Sequence, residues 1–328
     1  MANTPITSFQ EIETVWESVL QDSPEDTLFL TSQWQKVWWD TFGDDHTMCG
    51  FTYPANPVSD GVAAIASLAK SGDIVSFMGS EDTFDYNDFL IRPGHEEGFY
   101  QTLLDCMKEQ DFNMLRLVSL RENSPTLEIL PDMARNQGYT VEVQEEDVTS
   151  GISLPATWDD YLGLLNKKDR HELRRKLRRM DAQTDWKWYS VTQPAEVKER
   201  LGEFISLMRQ SRTDKNDFMT PDRERFFFNI TQRMAEIDQL QLYFLDMNGS
   251  TVATSLCFDY RGSRLLYNSG YDPEYAYYSV GLLLNAMCLK DAIDRGLTYF
   301  DFLRGPEPYK AHLGGQQRNL YQMVVTKN

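Results

Sequence analysis

Apolar residues near the start of the chain recur at intervals of three and four. Phe9, Ile12, Val15, Trp16 and Val19 therefore share one face of an expected helix over residues 8–21, with Ser8 as its N-cap. A short strand is expected at Leu28–Leu30, and then a second helix capped by Ser32, carrying Trp34, Val37 and Trp38 on one face and stopped by Gly43. Alternating patterns predict strands at Thr47–Tyr53, Val62–Leu68, Asp73–Met78 and Met114–Leu120, with a helix opening at Glu96.

The pattern from Trp158 onward is sharper. Helices are expected at Trp158–Leu165, Asp169–Met180, Pro194–Gln210 and Val280–Arg295, and another runs from Thr220-Pro221 to about Ile237. Strands are expected at Asp185–Val191, Leu240–Met247, Thr251–Tyr260, Ser263–Ser269 and Leu297–Leu303, and residues 319–325 form a closing strand. Asn248-Gly249 and Arg261-Gly262 give two consecutive hairpin turns. Both halves place strands before a polar aromatic loop, a helix and one more strand. DIVSFMG, DTFDYNDFLIRPG and NMLRLVSL do so in the first half, and SRLLYNSG, YDPEYAYYSVG and LTYFDFL in the second. A crossover helix among antiparallel strands predicts an α/β fold with mixed, mostly antiparallel sheets flanked by helices. The expected division is residues 1–150 and 151–328.

Composition narrows the class. With 41% hydrophobic and 12% aromatic residues the chain is globular. No apolar run reaches the roughly 18 residues of a membrane span, and no signal peptide is expected at the N-terminus. Cys49, Cys106, Cys257 and Cys288 are scattered without metal spacing, which fits reduced thiols in a cytoplasm. The four histidines are isolated as well, so no metal site is expected. A net charge of −18 argues against a DNA-binding role. Residues 167–179, KKDRHELRRKLRR, depart from that average with a local balance of +6. Leu173, Leu177 and Met180 give this helix a buried stripe and turn its arginines outward, as a solvated face or as an anchor for a phosphate-rich ligand.

The candidate chemistry concentrates in residues 296–315, GLTYFDFLRGPEPYKAHLGG. Asp301 lies in an aromatic strand, where a carboxylate is costly unless paired. Arg304, Glu307, Tyr309 and Lys310 follow on a proline-rigid loop, a usual way to build a site. A plain strand-to-loop transition with an Asp301–Arg304 ion pair is the competing reading. Asp85, Tyr86 and Asp88 occupy the corresponding loop of the first half, as an acceptor-binding cluster or as a polar edge with a turn.

RHELRRKLRR, the hairpin LDMNGSTVATSLCFDY, and YYSVGLLLNAMCLKDAIDRG running into YFDFLRGPEPYK together resemble the GNAT acyltransferase fold. More specifically, the chain resembles the tandem-GNAT group that includes FemAB-like aminoacyltransferases and CelD-like acetyltransferases of polysaccharide biosynthesis. The likeness covers roughly residues 150–315 well and the first 147 weakly.

The resemblance implies two GNAT-like halves, the first degenerate and on the acceptor side. An acyl donor would lie in a V between Leu265–Ser269 and Tyr299–Leu303, held by the strand at Tyr267 and Asn268. Its phosphates would meet the helix start at Ser279, Val280 and Gly281, with Arg174 and Arg175 on the basic helix in reserve. Asp301 would act as base or amine-orienting carboxylate and Tyr309 as the leaving-group acid. Lys310 would pair with phosphate or stabilise the oxyanion, and Arg304 and Glu307 would contact substrate. The implied activity is N-acyl transfer from acyl-CoA, acetyl-CoA included, to an amine of a small molecule or of a glycan or peptide precursor of the cell envelope. Two alternatives stand beside it. One is a FemAB-like transferase with aminoacyl-tRNA as donor, whose usual coiled-coil arm has no counterpart between Leu162 and Met180. The other is a non-catalytic protein that binds an anionic glycan or nucleotide.

Overall fold

The computed structural model describes residues 3–56, 59–79, 82–109, 112–183 and 185–327. They form two compact units, Met1–Val148 with Arg318–Asn328, and Thr149–Gln317.

In the N-terminal unit, β1 (Thr4–Pro5) precedes α1 (Phe9–Asp22) and α2 (Ser32–Phe42). Between the helices, Leu28–Leu30 is one buried turn of 3-10 helix and not the expected strand. The Trp16 indole N–H donates to the Leu30 carbonyl at 2.8 Å, and α2 starts almost at once. Its cap is Thr31, one residue earlier than expected, whose hydroxyl accepts from Trp34 N–H. The expected strand Thr47–Tyr53 is broken into β2 (Thr47–Met48) and β3 (Phe51–Asn56), followed by β4 (Ser59–Ala66), β5 (Leu68–Ser71), β6 (Ile74–Phe77) and β7 (Leu90–Ile91). Helix α3 (Glu96–Glu109), β8 (Met114–Arg121), α4 (Pro125–Asn136) and β9 (Thr140–Ser153) come next. One sheet has the order β1-β3-β4-β7. β2, β5, β6 and β8 pair in succession, with β6 and β8 parallel.

The C-terminal unit opens with α5 (Trp158–Leu164) and the basic helix α6 (Lys167–Asp181), capped by Asn166, whose side chain accepts from Asp169 N–H at 2.9 Å. β10 (Trp186–Val191), α7 (Pro194–Ser211), α8 (Thr213–Phe218) and α9 (Pro221–Glu236) lead into the meander β11 (Leu240–Met247), β12 (Ser250–Tyr260) and β13 (Ser263–Tyr271). Asn248 and Gly249 both have positive φ, +54° and +79°, the conformation a tight two-residue hairpin demands. Helix α10 (Val280–Asp294) crosses over to β14 (Tyr299–Arg304), parallel to β13, and α11 (Pro308–His312) follows. The sheet order is β10-β11-β12-β13-β14-β9. Helix α10 is apolar on nearly every side because it is core, with ten of its residues buried. Gly270 of β13 lets α7 lie directly on the strand, since a Cβ there would sit 2.3 Å from Met208 N. The last strand, β15 (Gln316–Thr326), pairs antiparallel with β8 in the N-terminal unit.

Asp88 is a fixed point of the N-terminal unit. It is buried, and its carboxylate accepts from the Ser124 and Thr126 hydroxyls and from Phe89 N–H at 2.7 Å. These donors favour the ionised form. Burial and the neighbouring Glu25 charge outweigh them and push the carboxyl up to about 7. The folded chain thus keeps a proton that the unfolded chain has released. The associated stability is complete below the ordinary carboxylate range and is lost as pH rises through about 7, by up to about 4 kcal/mol. Asp88→Asn abolishes that dependence. Relative to the parent chain, the variant's melting temperature should rise steadily between about pH 4 and about pH 8; a constant difference would contradict the shift.

Candidate active site

β13 and β14 are hydrogen-bonded only where Ser263, Arg264 and Leu265 face Tyr299, Phe300 and Asp301. Beyond that point each strand carries its own irregularity. In β13 the register against β12 slips at Tyr267, because Leu256 faces Asn268 while Cys257 faces Leu266. Tyr267 turns its ring towards Phe227 and Phe258, each 5.6 Å away between centroids. In β14 the register against β9 slips between Asp301 and Arg304, and Leu303 takes a φ of +57°. Two bulges facing one gap aim the strands apart.

A left-handed leucine is strained and needs surroundings that hold it. Asp301 accepts from Leu303 N–H at 2.8 Å, and the Lys310 ammonium donates to the Leu303 carbonyl at 2.9 Å. Lys310 also donates to the Arg304 carbonyl at 2.5 Å and the Gly305 carbonyl at 3.0 Å, and pairs with Glu307 at 3.0 Å. The lysine is buried, and its three protons match three carbonyls. Lys310 thus grips its own loop. Asp301 is buried and holds the bulge, and it does not line the cavity described next.

The parted strands enclose a cavity of about 520 Å³. β13 contributes Leu266–Ser269 and Tyr271, and the β14–α11 segment contributes Phe302, Arg304 and Glu307–Lys310. Ser279–Leu282 close one end with the first turn of α10, whose N–H groups have no carbonyl one turn earlier to bond. Ser279 has a φ of +59°, and its hydroxyl accepts from Lys176 at 2.6 Å. Tyr309 stacks edge-on against Phe302, and among the described residues its hydroxyl has no hydrogen-bond partner. Burial, with the Glu307 charge adding to it, pushes this phenol well above its usual range, so it stays protonated.

Two residues of the lining have no clear signal in the sequence. Lys215, on α8, donates to the Asn268 side-chain oxygen at 3.0 Å and to the Ser269 carbonyl. Its six-residue helix lies in a polar stretch that periodicity reads as loop. Asn285 accepts from the Ser255 hydroxyl at 2.7 Å, and its signal was a lone amide within the apolar run of α10.

The basic helix is arranged differently from the expectation. Lys176 and Arg179 reach the segment before α10, Arg179 donating to the Tyr277 carbonyl at 2.5 Å and lying 4.5 Å from its ring. Arg175 is bound to Glu172 through two hydrogen bonds of 2.9 and 2.7 Å, which hold that carboxylate down at about 2. Arg174 is exposed and borders no cavity described here. A second, more open hollow of about 860 Å³ follows α6, with Lys167, Lys168, Arg175, Lys176 and Arg178 on its lining. Asp85, Tyr86 and Asp88 belong to the N-terminal unit and Tyr267, Asn268, Arg304 and Glu307 to the C-terminal one. Tyr86 is buried beside the Arg121 guanidinium, Asp85 is half-buried, and Asp88 is occupied by the cap of α4. Among the described residues, no three His, Cys, Asp or Glu side chains could hold a metal, and no helix is long and apolar enough to cross a membrane.

Residues 167–311 match the family described as acetyltransferase (GNAT) domain. No curated protein matches the sequence significantly. The fold is similar to the crystal structure of FemX, at TM-score 0.68 and 12% identity over 98% of this chain and 97% of that one. It is similar to L-PGS from Bacillus licheniformis at TM-score 0.60 and 12% identity, covering 100% of this chain and 93% of the other. A tandem GNAT protein from the clavulanic acid biosynthesis pathway gives TM-score 0.54 and 11% identity over 100% and 99% of the two chains. At these identities the likeness is one of fold, and the fold is the α/β, tandem-GNAT architecture expected from the sequence.

Lys310→Met leaves three carbonyls without their donor and should cost about 3 kcal/mol. Limited proteolysis should then cut near Gly305–Pro308 in the variant and spare the parent chain. Equal resistance would show that the ammonium does not hold the loop.

Proposed function

We propose, from the premise that residues 167–311 make a GNAT-type acetyltransferase domain, that this protein is an N-acyltransferase. It transfers an acyl group from an acyl-CoA, acetyl-CoA being the simplest, to an amine of a small molecule or a cell-envelope precursor. The observation that carries this reading is the cavity between β13 and β14, bounded by the two strands beyond their three mutually paired positions and by the first turn of α10. Parted strands leave room between them for an amide-bearing thioester arm. Helix N–H groups suit its phosphates. The residues present fit such a donor, and it supplies the activated acyl carbon.

Tyr309 gives its proton to the departing thiolate, a task for a phenol that burial keeps protonated. Lys310 and Asp301 act one step back: they fix the bulge and turn that present Tyr309. Arg304 and Glu307 border the acceptor side, and Tyr267 and Asn268 the donor side. A second reading, transfer from an aminoacyl-tRNA, draws support from the basic hollow along α6 and the fold shared with FemX.

Release of free thiol from acetyl-CoA in the presence of an amine panel tests the proposal. Tyr309→Phe should lower turnover about 10²-fold and leave acetyl-CoA affinity unchanged. Acetyl-CoA at a hundredfold excess over Kd should stabilise the chain by about 2.7 kcal/mol. Stabilisation by an aminoacyl-tRNA minihelix alone would select the second reading, and stabilisation by neither would remove both donors.

A further inference from the structure

Lys215 sits at the edge of the gap between β13 and β14, in the same cavity as Tyr309. It is half-buried, and its two partners are neutral, the Asn268 side-chain oxygen at 3.0 Å and the Ser269 carbonyl. Among the described residues no carboxylate pairs with it. The acids that face it are already committed. Asp214 is held by Arg212 through hydrogen bonds of 2.9 and 2.7 Å, and Glu307 is paired with Lys310 at 3.0 Å. Arg212 and Lys310 add positive charge from two sides. A desolvated ammonium beside two cations and without an anion of its own is poorly stabilised.

Two acceptors use both N–H bonds of a neutral amine and leave its lone pair for the cavity. Buried Lys310 shows the opposite arrangement, with three carbonyls for three protons. The two lysines of one cavity thus have different hydrogen-bond surroundings.

We infer that Lys215 is the proton acceptor of this site, taking a proton from the ammonium of the acceptor substrate so that the amine attacks uncharged. The inference rests on the N-acyltransferase reading above. An N–H bond of the substrate ammonium breaks, its electron pair remains on nitrogen, and the proton ends on Lys215 Nζ. The nitrogen then forms the new bond to the acyl carbon. The carbon–sulfur bond breaks with its pair on sulfur, and the thiolate takes the Tyr309 proton. The extra proton on the new amide nitrogen returns to the Tyr309 phenolate, and Lys215 releases its proton to water. Burial, together with Arg212 and Lys310, places Lys215 at about 8 against the partial compensation of Glu307 and Asp214, so about a tenth of it is neutral at pH 7, far more than for an ordinary lysine.

Two measurements on the full chain test this. In pulse labelling with acetic anhydride, read by peptide mass spectrometry, Lys215 should titrate near 8. Labelling of Lys215 with a midpoint at the ordinary lysine value of about 10.4 would overturn the role. With acetyl-CoA as donor, Lys215→Met should slow acetylation of ethylamine about 10²- to 10³-fold. It should slow that of trifluoroethylamine, already neutral at neutral pH, by no more than about tenfold, because that amine needs no proton acceptor. Equal losses for the two amines would reduce Lys215 to a positioning residue. A parent chain that acetylates neither amine would remove the acyltransferase reading and this role with it, whereas a normal titration of Lys215 alongside active turnover would remove the role alone.

Discussion

β13 and β14 share three hydrogen-bonded positions and no more, and the chemistry of the C-terminal unit depends on how that parting is maintained. Parallel strands that start in register stay paired unless something turns them. Here each strand spends one residue on a bulge, at Tyr267 and near Leu303, and the left-handed Leu303 is costly enough to need support from both directions. Asp301 supplies it through the N–H and Lys310 through the carbonyl. A carboxylate and an ammonium that look like catalytic groups in sequence are thus the fastenings that hold the bulge beside the cavity.

The electrostatics of the cavity follow the same division. Lys310 and Glu307 pair with each other, as do Arg212 and Asp214. Beside these ion pairs lie the Tyr309 phenol, which burial keeps protonated, and Lys215, which burial holds down at about 8. Under the proposal these two groups are the proton donor and the proton acceptor of the site. Positive charge also lies along α6, where part of it fastens the segment leading to α10 and part lines the open hollow.

Periodicity made the second half legible because its elements obey local rules. The two hairpin turns, the capped helices, the crossover helix and the strand at residues 299–304 all stand close to where the pattern puts them. The first half was harder to read. Leu28–Leu30 has strand composition, yet it is a 3-10 turn because the indole of Trp16 and the start of α2 claim its carbonyls. The closing strand and β8 were both visible, but their pairing was not, since pairing across so long a separation leaves no local trace. At the site, the cluster at residues 301–310 could be found from polar groups in an aromatic strand. The roles within it could not, because a lysine that donates to its own loop and one that faces a cavity are the same letter. Lys215 was invisible for that reason, with only the packing of α8 on β13 to mark it.

The central claim is that the gap between β13 and β14 receives the acyl donor. Hydrogen–deuterium exchange of the full chain with and without saturating acetyl-CoA tests it most directly. The account predicts slower exchange in the amides of residues 266–271 and 279–282, with the bulk of the N-terminal unit unaltered. Unchanged exchange at both segments under saturating acetyl-CoA, or protection confined to other parts of the chain, would contradict it.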